Sequence, residues 1–297
     1  MNRLKKQADK IKRVGVVANS AKVSRRALVQ KAIALLHRAG RQVSCDAETA
    51  RSFGLSCPTL PTAGELARHS DLLLVFGGDG TMLRVAREVA GQPTPILGVK
   101  IGGLGFLTHV QSGELAEALR KTWAGDYTTD VRPLIVATGT ARAQPFREQA
   151  LNDFVVSRGG SSRLIELRVW VDEELLTDYR CDGLIISSPT GSTAYSLAAG
   201  GAVVSPNAEV FTITPICPHT LSNRSVIVPL NSVVKVQVLS ERVETIAVAD
   251  GQVQMTMEAG DFLEVRRSRA TVRLLNPGRA SFFATLQRKL NWSGTNV

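Results

Sequence analysis

With 297 residues, 44% of them hydrophobic, the chain is long enough for two domains and carries apolar material for a sizeable core, which excludes a disordered polymer. Its apolar runs, such as residues 72–76, fall far short of the about 20 residues that cross a bilayer, and no signal peptide is evident, so a cytoplasmic protein with no membrane partner is expected. The formal net charge of +10, part of it from Arg3, Lys5, Lys6, Lys10, Lys12 and Arg13, suits nucleic acid or a small phosphorylated substrate equally, and charge alone does not choose.

In chain order, the first third alternates strands and helices. Residues 14–18 form an apolar run that ends at Asn19 and Ser20. Ser24 then caps a helical pattern with Leu28, Ala32, Leu35 and Leu36 on one face, closed by Gly40. A second strand is expected around 42–45 and, after a Pro-punctuated loop, a buried strand at 72–76, a helix at 81–90 and a strand at 95–99. Ser112 opens one more amphipathic helix through Leu115, Leu119 and Trp123, ending at Gly125. Such alternation predicts a parallel, helix-covered sheet.

Beyond Gly125 the period changes. Runs at 134–138, 154–157, 165–171, 184–187, 210–215, 233–239, 245–249, 262–265 and 271–275 are rich in Val, Ile and Leu and are expected to be strands. One helix candidate, near 193–199, interrupts them, and an amphipathic close at 281–290 carries Phe282, Phe283, Leu286 and Leu290. The expected organisation is an α/β domain over 1–125, rejoined by a C-terminal helix within 279–297, and a β-rich, sandwich-like domain over 126–278. Cys45, Cys57, Cys181 and Cys217 are scattered without C-x-x-C pairs, which argues against zinc and against a disulfide framework; they read as reduced and buried.

The sharpest local signal is Gly77-Gly78-Asp79-Gly80-Thr81, placed between a strand and a helix. Glycines let a ligand approach the backbone, and the free N–H groups and dipole of the following helix attract phosphate. An Asp held there can accept the proton of an attacking hydroxyl or help hold Mg²⁺, as phosphoryl transfer requires. The plain alternative is a tight turn in which Asp79 or Thr81 caps the helix. Arg84, in the first turns, opposes the helix dipole unless it meets an anion; otherwise it is a solvated arginine.

A second constellation runs from Asp182-Gly183 through Ser187-Ser188-Pro189-Thr190-Gly191-Ser192-Thr193-Ala194-Tyr195-Ser196. Small hydroxyl residues and Gly between a strand and a helix make a backbone-rich anion or sugar site, and Tyr195 offers a face for a base. A structural turn with Tyr195 in the core fits the spacing equally.

The blocks FGGDGTMLRVAR, LGFLT, ALND, CDGLIISSPTGSTAYSLAAGG, ITPICPHTLSNR and DGQ, in this order, closely resemble the NAD kinases over residues 14–275. The resemblance implies phosphorylation of the adenosine-ribose 2′-hydroxyl of NAD, with ATP or another phosphoryl donor, to give NADP. It implies an α/β nucleotide-binding N-terminal domain with a parallel sheet, and a β-rich C-terminal domain that completes the dinucleotide site. A divalent cation (Mg²⁺), homodimers or homotetramers, and no nucleic-acid partner follow with it. By carry-over, Asp79 is the proton acceptor, with Gly78, Gly80, Thr81 and Arg84 beside it. Asn152 and Asp153 hold dinucleotide groups, Arg163, Arg180 and Asp182 border the ligand, and Thr193, Ala194, Tyr195, Ser196, Leu197, Ala198 and Gln252 complete the pocket. No protein residue is assigned to the metal.

Several of these positions have their own chemical reading. An amide and a carboxylate at Asn152-Asp153 can grip two sugar hydroxyls, or simply form a turn before a strand. Arg163 and Arg180 suit a diphosphate, or salt bridges to the acidic residues 172–174. Arg180 is expected to pair with Asp182, or with a carboxylate of a partner subunit, as a polar wall that favours NAD over NADH. His219 reads as a satisfied buried histidine rather than a catalytic one. Two positions depart from the family: Lys100 stands where Asn is usual, and Asp153 where Glu is usual. Lys100 either strengthens triphosphate binding or marks a surface position. Lipid kinases related to diacylglycerol kinases share the Gly-Gly-Asp-Gly loop, but they call for a hydrophobic channel where this chain has Ser/Thr/Asn-rich segments.

Overall fold

The computed structural model describes residues 11–19, 26–102, 105–160, 162–220, 222–278 and 281–292. Most of the basic leader and the Ser24 cap lie outside these residues. The chain divides into two compact units, one of Met1–Val131 with Thr271–Val297 and one of Arg132–Ala270. These boundaries differ from those expected at 125/126 and 278/279 because they fall inside two long strands, whose alternation runs on past each turn signal.

The first unit runs β1 (Arg13–Ala18), α1 (Arg26–Arg38), β2 (Gln42–Asp46), α2 (Ala47–Phe53), β3 (Thr59–Leu60), α3 (Ala63–Arg68), β4 (Leu72–Gly77), α4 (Asp79–Glu88), β5 (Ile96–Lys100), β6 (Val110–Gln111) and α5 (Leu115–Ala124). Its strands pair in parallel in the order β3-β2-β1-β4-β5, with β6 also on β5. All of β4 and β5 and nearly all of β1 are buried, as unbroken Val/Leu runs are when helices cover both faces of a parallel sheet. Helix α1 turns Val29, Ala32 and Leu36 inward, and α5 ends where Gly125 takes a left-handed φ of 78°. The two short helices α2 and α3 fall in the stretch read as a loop. Each is started by a local cap rather than by apolar periodicity: Asp46 accepts the Thr49 N–H, and Thr62 that of Glu65.

The same stretch corrects the cysteine reading. After α2 the chain returns to pair with the end of β2, Cys45 against Thr59, and this brings Cys57 beside Cys45. The two are disulfide-bonded, with Cα atoms 6.5 Å apart. Of the four cysteines only Cys45 and Cys181 are buried, whereas Cys217 is exposed.

The second unit is built from β7 (Tyr127–Ala141), β8 (Gln144–Ala150), β9 (Asp153–Arg158), β10 (Ile165–Val171), β11 (Glu174–Cys181), β12 (Gly183–Ser187), α6 (Tyr195–Ala198), β13 (Val210–Ile216), β14 (Val226–Pro229), β15 (Val234–Val238), β16 (Thr245–Ala249), β17 (Val253–Met257) and β18 (Phe262–Pro277). The segments of β7 and β18 nearest the chain ends belong to the first unit, where Leu274 pairs with Ile96; α7 (Phe282–Leu290), capped by Ser281, follows there. One antiparallel sheet has the order β14-β13-β12-β9-β16-β17 and the other contains β11-β10-β15-β18. Ile165, Leu167, Val169 and Val236 from one sheet share a core with Phe154, Val156, Leu184, Ile186 and Phe211 from the other, as in a β-sandwich.

Strands β8, β11, β14 and β17 were not anticipated, and the two runs at 262–265 and 271–275 are one strand. The hairpins β7–β8 and β10–β11 turn through Arg142-Ala143 (φ 50° and 58°) and Asp172-Glu173 (φ 51° and 72°), left-handed pairs made without glycine. Their cost is offset locally. Asp261 accepts both the Arg142 and Ala143 N–H groups at 2.7 and 3.1 Å, and Asp172 accepts that of Val233 at 2.8 Å.

Strand β1 carries a glycine with no room to grow. A Cβ on Gly15 would lie 2.5 Å from Leu73 Cδ2, 2.7 Å from Leu66 Cγ and 2.8 Å from Ser70 Oγ. Gly15→Ala is therefore expected to destabilise the protein by about 1–3 kcal/mol through overpacking, read as a lower urea midpoint. An unchanged midpoint would show that the α3 side of the sheet yields freely.

Candidate functional site

In the first unit, the chemistry gathers at the carboxyl ends of the parallel strands, the usual ligand edge of such sheets. β4 ends at Gly77 and α4 begins at Asp79, with Gly78 as an N-cap that supplies no side-chain bond. The Thr81 N–H bonds Gly78 O at 3.1 Å, and with no side-chain acceptor at the cap the dipole of α4 still attracts an anion. A Cβ on Gly77 would collide with the Thr81 side chain, so the turn requires glycine there. Thr81 is buried, and its hydroxyl accepts from Asn19 Nδ2 at 3.1 Å.

Asp79 does not cap its own helix. Its Oδ2 accepts the Phe106 N–H at 2.8 Å and its Oδ1 the Leu107 N–H at 3.1 Å, within the LGFLT block. The two bonds fix the carboxylate and leave lone pairs on both oxygens. A Cβ on Gly105 would collide with this carboxylate, so the close approach depends on glycine. Arg84 is not a lone solvated cation: its Nη1 lies 2.8 Å from Glu88 and 3.9 Å from Glu48.

Lys100, at the end of β5 opposite Gly77, settles the question left open by its departure from the family. It is 5% exposed, so it does not mark the surface. Burial holds its ammonium below the ordinary lysine range, nearby Asp79 opposes that shift, and Lys289 of α7 adds to it. Lys289 itself lies 4.4 Å above the Phe106 ring.

In the second unit, Asn152 and Asp153 precede and begin β9. Their turn is held by a residue that sequence reasoning passed over. Asp250, at φ 51° beside Gly251, accepts the N–H groups of Leu151, Asn152 and Asp153 at 3.0, 2.7 and 3.4 Å. From the other side, the Ser188 N–H donates to Asn152 O at 2.8 Å and the Ser188 hydroxyl to Leu151 O at 2.6 Å. A Cβ on Gly191 would collide with Asn152 O. In the sequence Asp250 is the first residue of the DGQ block, where only Gln252 is given a role. Asp153 is 4% exposed; burial, and then the neighbouring Asp250, push its carboxyl up to about 7.

The Ser/Thr-rich segment forms a 3₁₀ turn at Gly191–Thr193 and then α6. Thr193 hydroxyl donates to Thr190 O at 3.4 Å, and buried Ser196 meets the Thr214 hydroxyl at 3.1 Å. Ala194 and Leu197 are partly exposed and Ala198 is exposed. Tyr195 is 48% exposed, so its ring is not core. Gln252 closes the Asp250-Gly251 turn, donating its N–H to Ala249 O at 2.9 Å. Arg163 lies in the irregular segment before β10.

Arg180 and Asp182 do not pair. The β10–β11 register sets Glu166 opposite Arg180, and these two stand 3.8 Å apart on an exposed face. Asp182 instead receives Arg158 Nε at 2.7 Å, because β9 and β12 are neighbours and Arg158 N–H already bonds Asp182 O. His219 is exposed rather than buried, its N–H donating to Arg180 O at 2.8 Å.

Residues 14–127 match the family described as the ATP-NAD kinase N-terminal domain, and residues 151–276 the ATP-NAD kinase C-terminal domain. The NAD kinase of Syntrophotalea carbinolica is 36% identical over 95% of this chain and 99% of its own length. That of Moorella thermoacetica is 40% identical, covering 96% of this chain and 91% of the relative. Among solved structures, a yeast NADH kinase complexed with NADH superposes with a TM-score of 0.88 at 25% identity, covering 97% of this chain and 89% of that one. An Archaeoglobus fulgidus NAD kinase in complex with ATP gives a TM-score of 0.75 at 25% identity, covering 95% and 100%. Among the described residues no helix is long and apolar enough to cross a membrane.

The raised Asp153 carboxyl has a sign that can be checked. Between its unfolded value of 3.8 and about 7 the folded chain holds a proton that the unfolded chain releases, so stability falls as pH rises through that window. Asp153→Asn should flatten the decline, with a melting temperature at pH 8 closer to that at pH 5 than in the parent. Parallel pH–stability curves for the two proteins would show that Asp153 ionises freely in the fold.

Proposed function

This chain belongs to the NAD kinase family, and we propose that Asp79 is its general base. The enzyme phosphorylates NAD with ATP as donor. In our reading the acceptor is the 2′-hydroxyl of the adenosine ribose. As the terminal phosphoryl group of ATP moves onto that oxygen, its proton passes to a free lone pair of Asp79, and NADP and ADP leave. The observation that carries this assignment is the hold on Asp79, whose two oxygens each accept one main-chain N–H beside the uncapped start of α4. A carboxylate fixed in this way needs no reorganisation at the moment of transfer, and phosphoryl transfer depends chiefly on positioning and charge neutralisation. Gly78 and Gly80 would let the phosphates approach the backbone at the start of α4, Thr81 would border them, and Arg84 would exchange its carboxylate partners for them.

The dinucleotide is assigned to the second unit. The Asn152 amide offers donors and an acceptor to the sugar hydroxyls, while Asp153, protonated in part near neutral pH, can donate as well as accept. The exposed Tyr195 ring, on the short turn of Thr193, Ala194, Ser196, Leu197 and Ala198, is available to stack on a base. Arg163, Arg180, the Asp182–Arg158 pair and Gln252 complete the polar border. The divalent cation, Mg²⁺, arrives as part of the substrate on the triphosphate; Mg²⁺ is commonly bound by phosphates with one or two carboxylates, and the remaining lone pairs of Asp79 fit that pattern. We also assign a homodimer or homotetramer. The edge strands β11 and β14 of the second unit carry exposed Leu175 and Ile227, a pattern suited to association.

Asp79→Asn should preserve the fold and lower kcat by roughly 10²- to 10⁴-fold, measured as NADP formed from NAD and Mg-ATP. Near-parental turnover would make Asp79 an anchor for Phe106 and Leu107 only. Tyr195→Ala should raise KM for NAD by a factor equivalent to about 1–3 kcal/mol of lost stacking and leave KM for ATP nearly unchanged. Equal increases for both substrates would remove the ring from the dinucleotide.

A further inference from the structure

Lys100 is a side chain whose burial the fold itself does not explain. Its ammonium is carried on a residue 5% exposed, yet among the described residues it has neither a hydrogen bond nor an ion pair. An ammonium that no anion bonds, set where a phosphate-attracting turn begins, is placed to meet an anion that a ligand brings. Its position indicates which ligand. Lys100 is the last residue of β5, in register with Gly77, where the phosphate-attracting turn begins, and the Ile101 N–H donates to Gly77 O at 3.1 Å. Its charge reaches Asp79 without a direct ion pair. On the same side stands Lys289, within electrostatic range of Lys100 and 4.4 Å over the ring of Phe106, whose N–H holds Asp79. Lys100 thus lies within electrostatic range of both Asp79 and a second ammonium, that of Lys289.

We propose that Lys100, assisted by Lys289, binds the terminal phosphate of the donor triphosphate and neutralises the charge on the phosphoryl group as it transfers. The inference rests on the kinase reading above and adds to it a specificity residue for the donor. Lysine acts here as a point charge with rotatable donors, which suits a group that changes shape during transfer. No bond to Lys100 forms or breaks. The phosphoryl group passes from ATP to the ribose oxygen as its bond to the bridging oxygen breaks and ADP leaves, the proton goes to Asp79, and the ammonium stays protonated throughout.

The decisive measurement combines stability with a split of kinetic constants. Lys100→Met keeps the length of the side chain and removes the charge. Because the parental ammonium makes no hydrogen bond or ion pair in the described fold, the substitution should leave the melting temperature of the ligand-free enzyme close to that of the parent. The same variant should raise KM for ATP and lower kcat, together on the order of ten- to a hundredfold in kcat/KM for ATP, with KM for NAD within about twofold of the parent. Lys100→Arg should recover part of the loss, and Lys289→Met should show a smaller loss in the same direction. A lowered melting temperature with unchanged KM for ATP would make Lys100 a structural residue and overturn the inference. So would a loss confined to KM for NAD. Parental enzyme that forms no NADP would defeat the kinase reading instead, which separates the two failures.

Discussion

One interaction recurs wherever this chain must hold an irregular segment still: a carboxylate that accepts the N–H groups of two consecutive residues. Asp79 holds Phe106 and Leu107, Asp250 holds Leu151 and Asn152, Asp261 holds Arg142 and Ala143, and Asp71 holds Lys12 and Arg13. Charge-assisted bonds of this kind are about twice as strong as neutral ones, and two from one carboxylate fix direction as well as distance. At Asp261, burial pushes the carboxyl up, but the bonds from Glu258, Thr140, Ala143 and Arg142 together hold it below its ordinary range. There the device secures a turn whose backbone is left-handed without glycine.

At the two functional positions the same device does a second job. The bonds that fix Asp79 are to the segment that follows β5, so the carboxylate we propose as general base and the LGFLT backbone are positioned by one another. In the second unit the order is reversed: Asp250 is the holder, and the residues held, Asn152 and Asp153, are those assigned to the dinucleotide. Burial, and after it the neighbouring Asp250, raises the Asp153 carboxyl, which links the geometry of the turn to the protonation of a side chain we assign to sugar hydroxyls.

How much of this was legible in the sequence follows from what kind of signal each feature leaves. The parallel sheet announces itself because strands buried on both faces are unbroken Val/Leu runs, as in residues 72–76, and the Gly-Gly-Asp-Gly loop because it gathers three glycines between a strand and a helix, with no room for a Cβ at Gly77. The short helices α2 and α3 were passed over because a helix of seven or six residues has too few turns to show a period, and only the caps Asp46 and Thr62 betray them. Strands β11 and β17 carry mixed polar faces, and the turns at Arg142-Ala143 and Asp172-Glu173 lack the glycine that marks such hairpins. Of the site, the motif residues could be read, but their partners could not. That Asp182 bonds Arg158 rather than Arg180, that Lys100 is buried, and that Cys45 meets Cys57 are facts of strand neighbourhood, which distance along the chain does not encode.

The bare start of α4 has a consequence for anyone who would strengthen this protein. Gly78 occupies a cap position where Ser, Asp or Asn would ordinarily contribute about 1 kcal/mol by accepting an N–H of the first turn. The fold forgoes that gain, and in our reading the incoming phosphate supplies it, so the helix is finished only when substrate is in place. A stability-guided redesign would count Gly78 among its first improvements. By installing a built-in competitor for the same N–H groups it would produce a hardier protein that has already capped its own helix and has no further use for the nucleotide.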